Sequence, residues 1–186
     1  ADIFLEADDM ADGDLIDHIL DSAGQKGTGR WASIEALRQG VNISMITAAC
    51  NARIMSNHLE RRQKASSLIA APVITAAGDK QAFTEMVREA LYISKIIAYA
   101  QGFSLLQDAS RRFGWDLDLG SIASIFRAGC IIQAEFLNDI TRAYEQQADL
   151  SHLLLDSFFQ ERVVSYEKNL RQIGAQAVSY THLTQP

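Results

Sequence analysis

Cationic and hydroxyl side chains meet three glycines in the stretch Gly24-Gln25-Lys26-Gly27-Thr28-Gly29-Arg30-Trp31. Glycine reaches positive φ without steric cost and lets successive backbone N–H groups turn toward one point, so such a loop can surround an anion. Lys26, Thr28 and Arg30 add a point charge, a hydroxyl donor and a guanidinium to the same arc. Ser33 and the periodic run Ile34 to Leu37 predict a helix straight after the loop, which puts the loop at the positive end of a helix dipole. Capture of an anion is the chemistry this pattern suits.

Three readings fit the spacing. Gly24 and Gly29 stand as in a Walker A loop, but that loop continues with Lys and Ser/Thr where this chain has Arg30 and Trp31, and an indole cannot hold magnesium. Gly27, Gly29 and Ala32 fit the loose dinucleotide pattern G-x-G-x-x-G/A, which should follow a strand and meet an acidic residue about 20 positions later. Ile46 to Ala52 offers no carboxylate. A glycine-rich surface turn without a ligand is the third reading, and spacing alone leaves it open.

A further cation comes from the next segment. Between Ile43 and Asn57 apolar residues recur at helical spacing, and Ile43, Ile46, Cys50 and Arg53 run along one face. An arginine in a buried row needs a partner, because an unpaired guanidinium carries a large desolvation cost. A salt bridge, for instance to Glu60, a snorkelling side chain or an anionic ligand would each supply one.

Helices must position these residues, since no segment alternates as a strand does. No glycine or proline interrupts Lys80 to Gln101, and Gly102 is a single lapse, so one helix is predicted from Gln81 to Phe113, roughly 50 Å long. Between Leu91 and Leu106 it is apolar on nearly every side, which requires surrounding helices or a second subunit; Tyr92, Tyr99 and Phe103 are read as core. Gly114-Trp115 ends this spine. Ile122 to Ile132 and Ala134 to Tyr144 follow as apolar-rich segments, with Gly129-Cys130 small enough for close backbone approach, and Asp149 to Leu155 is a connector. Phe158 to Ile173 is predicted as an amphipathic helix with Phe159, Val163, Tyr166, Leu170 and Ile173 inward. Upstream, Ala1 to Leu5 reads as a last helical turn, Ala7 to Asp14 as a solvated acidic turn lacking the ligand spacing of a calcium loop, and Leu15 to Leu20 as a packed apolar segment with His18 an ordinary surface or interface histidine. Glu60 to Lys64 reads as a solvated face, Ala70-Ala71-Pro72 as a helix break and Ala76 to Asp79 as the next start.

The 186 residues, 48% hydrophobic, suffice for one domain with a substantial core. A net charge of −6 argues against a nucleic-acid surface, which needs a basic field. Cys50 and Cys130 form no metal or disulfide motif, which favours a reduced, cytoplasmic setting. Leu91 to Leu106 is shorter than the roughly 20 residues of a membrane span and contains Lys95 and Gln101. No secretory signal peptide is recognisable.

The string AGQKGTGRW closely resembles the AGQKGTGKW stretch of the decarboxylating 6-phosphogluconate dehydrogenases, Ala52-Arg53 resembles the FAR of that family, and Ala90 to Phe103, Phe113 to Leu117 and Ile125 to Ile132 are similar to it too. The resemblance covers residues 1–177. It implies the all-α, multi-helix C-terminal domain of the family, built around one long central helix and truncated at both ends. Val178 to Pro186 departs from the pattern, resembles an adapter-derived peptide found in translated metagenomic assemblies, and is read as a non-native tail, so His182 is no candidate.

By resemblance, the activity is NADP-dependent oxidation of the 3-hydroxyl of 6-phosphogluconate, loss of CO2 from the β-keto acid and protonation of the enediol to ribulose 5-phosphate, in the pentose phosphate pathway. No metal is implied, because the β-keto group itself accepts the electron pair. The general-base lysine, general-acid glutamate and most of the NADP site belong to the family's portion upstream of Ala1, so no catalytic residue is assigned here and no turnover is expected of this chain alone. Lys26, Thr28 and Arg53 match family residues that hold the 6-phosphate; Arg30 and Ala32 replace the usual lysine and threonine and receive no role. The implied partners are 6-phosphogluconate and a second copy in a homodimer, whose arginine- and histidine-bearing C-terminal tail is missing here. A free-standing helical dimerisation module, or a related β-hydroxyacid dehydrogenase, are the alternatives.

Overall fold

Helix-forming runs alternate with glycine-bearing turns, and the computed structural model, which describes residues 2–69 and 79–180, converts that pattern into helices. A 3-10 turn at Asp2–Leu5 precedes α1 (Leu15–His18), α2 (Thr28–Gln39), α3 (Ser44–Ser56), α4 (Leu59–Leu68), α5 (Lys80–Phe113), α6 (Leu119–Ile125) and α7 (Leu137–Gln146). A second 3-10 turn at Leu153–Leu155 leads to α8 (Ser157–Tyr180). No strand occurs among the described residues; a lone bridge between Ala7 and Asp14 closes the acidic turn.

The spine α5 is 34 residues long, as the uninterrupted run predicts. The Asp79 carboxylate accepts the Gln81 N–H at its start, and Gly114, at φ 65, closes its end with an N–H to the Ser110 carbonyl. Ile93, Ile96, Ala100, Phe103 and Gln107 are buried along it at alternating three- and four-residue steps, the spacing that keeps one stripe facing a partner helix. Most of that cover is α8, with Phe159 fully buried and Val163, Tyr166 and Leu170 packed on the same core. The two helices run antiparallel: the Tyr92 and Tyr166 rings meet edge-on at 5.8 Å, and one turn further out Asn169 donates to Glu89. Tyr92, Tyr99 and Phe103 are core or core-flanking, as read from the sequence. Gln107 is the buried polar exception, and its Nε2 donates to the Leu150 carbonyl at 2.8 Å, pinning the connector to the spine.

Several expectations change. Of the two kinds of cover expected for the spine, helices of this chain supply only one side, with Leu91 65% exposed. Residues Leu15 to Leu20 pack only in part: Leu15 and Ile16 are half-buried while Ile19 and Leu20 are exposed, because a helix of four residues is too short to carry a stripe. The helix in Ile122 to Ile132 stops at Ile125, leaving Ile131 in solvent. Gly129 has open space where a Cβ would stand and a φ of 66, so it serves a turn and not a close approach. Asp2–Leu5 is a 3-10 turn, and α8 continues past Ile173 to Tyr180, into the segment read as a tail. The break at Ala70-Ala71-Pro72, the stretch Ala76 to Gly78 and His182 lie outside the described residues.

Tyr144 stacks on Phe103 with ring centroids 5.6 Å apart, and burial pushes its hydroxyl up to about 12. A tyrosine whose native value lies above its unfolded value of about 10 contributes stability below pH 10 that is lost as pH rises toward 12. Tyr144→Phe is therefore expected to flatten the fall in melting temperature across that window, read from thermal melts at stepped pH; an unchanged slope would remove Tyr144 as its source.

Candidate functional site

Helix α2 begins at Thr28, inside the glycine-rich arc and five positions before Ser33. Gly27 is the N-cap with φ 102, a left-handed conformation that starts the helix earlier than apolar periodicity can signal. No side chain caps this end, so the first-turn amides carry the helix's partial positive charge without an intrahelical acceptor. Gly29 then packs against α3 so closely that a Cβ there would stand 2.4 Å from the Cys50 Sγ. Ser33 braces the contact, donating to the Gly29 carbonyl at 2.9 Å and lying 3.0 Å from the Thr47 hydroxyl.

The residues leading into the arc are fastened one after another to the ends of α3 and α4. Asp21 meets the Arg62 guanidinium at 2.7 Å, Ser22 donates to Asn57 at 2.9 Å, and the Ala23 N–H donates to the Ser56 hydroxyl at 3.1 Å. The Gly24 carbonyl accepts from Arg53. Arc 24–29 is thus held on α3 at both ends, by Arg53 at Gly24 and by Cys50 at Gly29.

Lys26, Thr28 and Arg53 all lie exposed on this assembly. Lys26 follows Gly24 by two positions, at most about 7 Å of chain, so the arc brings Lys26 into the neighbourhood of Arg53. The buried position expected for Arg53 is corrected: Ile43 is buried, Ile46 and Cys50 are half-buried, and the row has left the core one turn later. The guanidinium remains solvated, and its partner is the Gly24 carbonyl rather than Glu60. Arg30 is exposed as well.

The reading of Glu60 to Lys64 as a solvated face is also corrected, for Arg62 is only 8% exposed. Leu59, Arg62 and Ala65, three residues apart, are the inward side of α4, and that spacing was the available signal. The guanidinium in turn holds the Asp21 carboxyl below the ordinary carboxylate range. Asp21, Ser56 and Asn57 carried no comparable mark. A hollow of about 380 Å³ between α3 and α4, lined by Ile54, Met55, His58, Arg61 and Arg62, is mostly apolar and includes none of Lys26, Thr28 and Arg53. Among the described residues no group of three or more His, Cys, Asp or Glu could hold a metal ion, and no helix is long and apolar enough to cross a membrane.

Residues 1–185 match the model of a family described as 6-phosphogluconate dehydrogenase, C-terminal domain. This chain belongs to that family. Relatives include a decarboxylating 6-phosphogluconate dehydrogenase of Lactococcus lactis, 45% identical over 177 residues covering 95% of this chain and 38% of the relative. An NADP(+)-dependent, decarboxylating one of Bacillus subtilis is 47% identical over 180 residues, again 38% of its length. A solved 6-phosphogluconate dehydrogenase of Plasmodium falciparum superposes with a TM-score of 0.89 at 39% identity, over 96% of this chain and 39% of that one. That enzyme was determined in its apo form, with NADP+ and with 6-phosphogluconate. The chain therefore spans about two fifths of the 6-phosphogluconate dehydrogenases it matches, and it corresponds to their all-helical domain.

The Gly29–Cys50 contact yields a test. Alanine in a helix is ordinarily favoured over glycine by about 1 kcal/mol, so any loss of stability in Gly29→Ala measures the collision with Sγ. Thermal melts should place Gly29→Ala below the wild type and the double variant with Cys50→Ala at or above the Cys50→Ala single variant. A Gly29→Ala protein as stable as wild type would mean that α2 and α3 are not packed this closely.

Proposed function

We propose that this chain is the part of an NADP-dependent, decarboxylating 6-phosphogluconate dehydrogenase that holds the phosphate end of 6-phosphogluconate. The observation that carries the reading is the bond from Arg53 to the Gly24 carbonyl, which ties a guanidinium to the arc bearing Lys26 and Thr28 beside an uncapped helix N-terminus. A phosphate monoester dianion offers three acceptor oxygens. An ammonium, a hydroxyl, a forked guanidinium and free helix amides complement it in charge and in donor count. The local positive field lies in a chain of net charge −6, so the attraction is confined to this arc.

Phosphate capture is remote from the reacting carbon, and that is its use. Binding energy released at the unreactive end fixes the hydroxyl-bearing end in one orientation, converting affinity into positioning. NADP, held in this reading mainly by residues outside this chain, supplies the hydride acceptor. Within the proposal the enzyme works in the cytoplasm, in the pentose phosphate pathway, as a homodimer. Apolar side chains left exposed on the helices, such as Leu91 on α5, suit burial against a second copy.

In the full-length enzyme carrying this domain, Lys26→Ala is expected to raise KM for 6-phosphogluconate on the order of tenfold or more while KM for NADP stays unchanged. Steady-state kinetics with each substrate varied in turn decide it, and an unchanged KM for the sugar acid would remove Lys26 from the phosphate site.

A further inference from the structure

Arg62 lies in α4, outside the arc, and its side chain is nearly as buried as the core. Its two terminal nitrogens reach different elements. Nη1 donates to the Asp21 carboxylate at 2.7 Å, and Nη2 donates to the Ser56 carbonyl at 3.2 Å. Ser56 extends the network: its hydroxyl accepts the Ala23 N–H at 3.1 Å and donates to the Arg53 carbonyl at 2.8 Å. One guanidinium is therefore linked to the strand of chain entering the arc and to the end of α3 from which Arg53 projects. These are the two pieces whose relative placement decides whether Lys26, Thr28 and Arg53 can face one anion.

We infer that Arg62 and Asp21 are positioning residues for the phosphate site, clamping the arc to the Arg53 end of α3 through Ser56 without touching the substrate. The inference rests on the phosphate-site reading above. The fork geometry matters as much as the charge, because a lysine ammonium on a single stem cannot span the carboxylate and the carbonyl as two coplanar N–H groups do. Loss of the carboxylate removes the charge that Asp21 sets against a nearly buried cation, and the segment entering the arc loses its tie to α4. Displacements of about 1 Å at a binding element are enough to cost up to a hundredfold in turnover efficiency.

The test uses the full-length enzyme with Asp21→Asn, Arg62→Lys and Lys26→Ala, assayed with 6-phosphogluconate and with unphosphorylated gluconate. Asp21 is half-exposed, so Asp21→Asn keeps the experiment decisive if Arg62→Lys fails to fold. The expected result is a KM for 6-phosphogluconate raised about tenfold to a hundredfold in Asp21→Asn and Arg62→Lys, with kcat/KM for gluconate and KM for NADP as in wild type. If both clamp variants keep the wild-type KM while Lys26→Ala raises it, the clamp is overturned and the phosphate site stands. Equal losses with both substrates would assign the pair a structural role only and overturn the inference too. Silence of all three variants would take the phosphate-site reading down together with the clamp.

Discussion

The apolar stripe of α5 cannot stay dry by itself, and the arrangement of the chain follows from covering it. A helix of 34 residues presents buried positions from Ala90 to Ala109, and several elements share in shielding them. α8 covers much of this run from the antiparallel direction, while the 3-10 turn at Leu153–Leu155 and α6 add cover from further along the chain. α6 and α7 pack mainly on each other, and Leu137, Ile140 and Phe159 complete one continuous core with Ile93, Ile96 and Phe103. Hydrophobic burial is non-directional, so it brings these helices together without selecting their register. The buried Gln107 to Leu150 bond and the stacked Phe103–Tyr144 pair supply directional contacts at fixed points.

The glycine-rich arc depends on that spine at one remove. α2 and α3 form a helical hairpin turned at Gly40, whose φ of 75 ends α2. Near this turn the hairpin is docked on α5: the Met45 N–H donates to the Gln101 side chain at 2.9 Å, Gln101 donates back to the Ser44 hydroxyl, and Arg112 donates to the Arg38 carbonyl at 3.1 Å. The arc and Arg53 sit at the other end of the same hairpin, away from the docked turn. This explains the exposure gradient along α3, from buried Ile43 to exposed Arg53. A site for a large polar ligand gains from standing where water and substrate can reach it, provided that something other than the core fixes its geometry. The ties from Asp21, Ser22, Ala23 and Gly24 to the ends of α3 and α4 are that something.

The charge pattern fits the same division. Exposed ion pairs on single helices, such as Arg88 with Glu85 and Arg142 with Asp139, are local and contribute little to choosing the fold. Arg62 with Asp21 differs because one partner is nearly buried and the two lie 41 residues apart, so the pair constrains where two segments meet. The cations Lys26 in the arc and Arg53 on α3 are both exposed, so an anion would meet them at low desolvation cost.

The sequence by itself determined what depends on neighbours along the chain. Periodicity marked α5 and the inner row of α8, Gly114 marked the end of the spine, and the wording of the glycine-rich loop carried the family. Tertiary structure alone decided what depends on partners far away. Periodicity in α3 pointed Arg53 at the core, because a helical face is read as if the whole helix were covered, and only the docking of the hairpin on α5 reveals which end is left outside. Arg62 looked solvated because a run of charges is usually so, and it is buried where Asp21, from another segment, pairs with it. Gly29 read as loop flexibility, whereas in the folded chain it admits Cys50 where any side chain would collide. Local pattern fixes conformation through backbone sterics and hydrogen bonding within a few residues. Burial and pairing are properties of the surface that comes to lie opposite, and that surface exists only once the helices have packed.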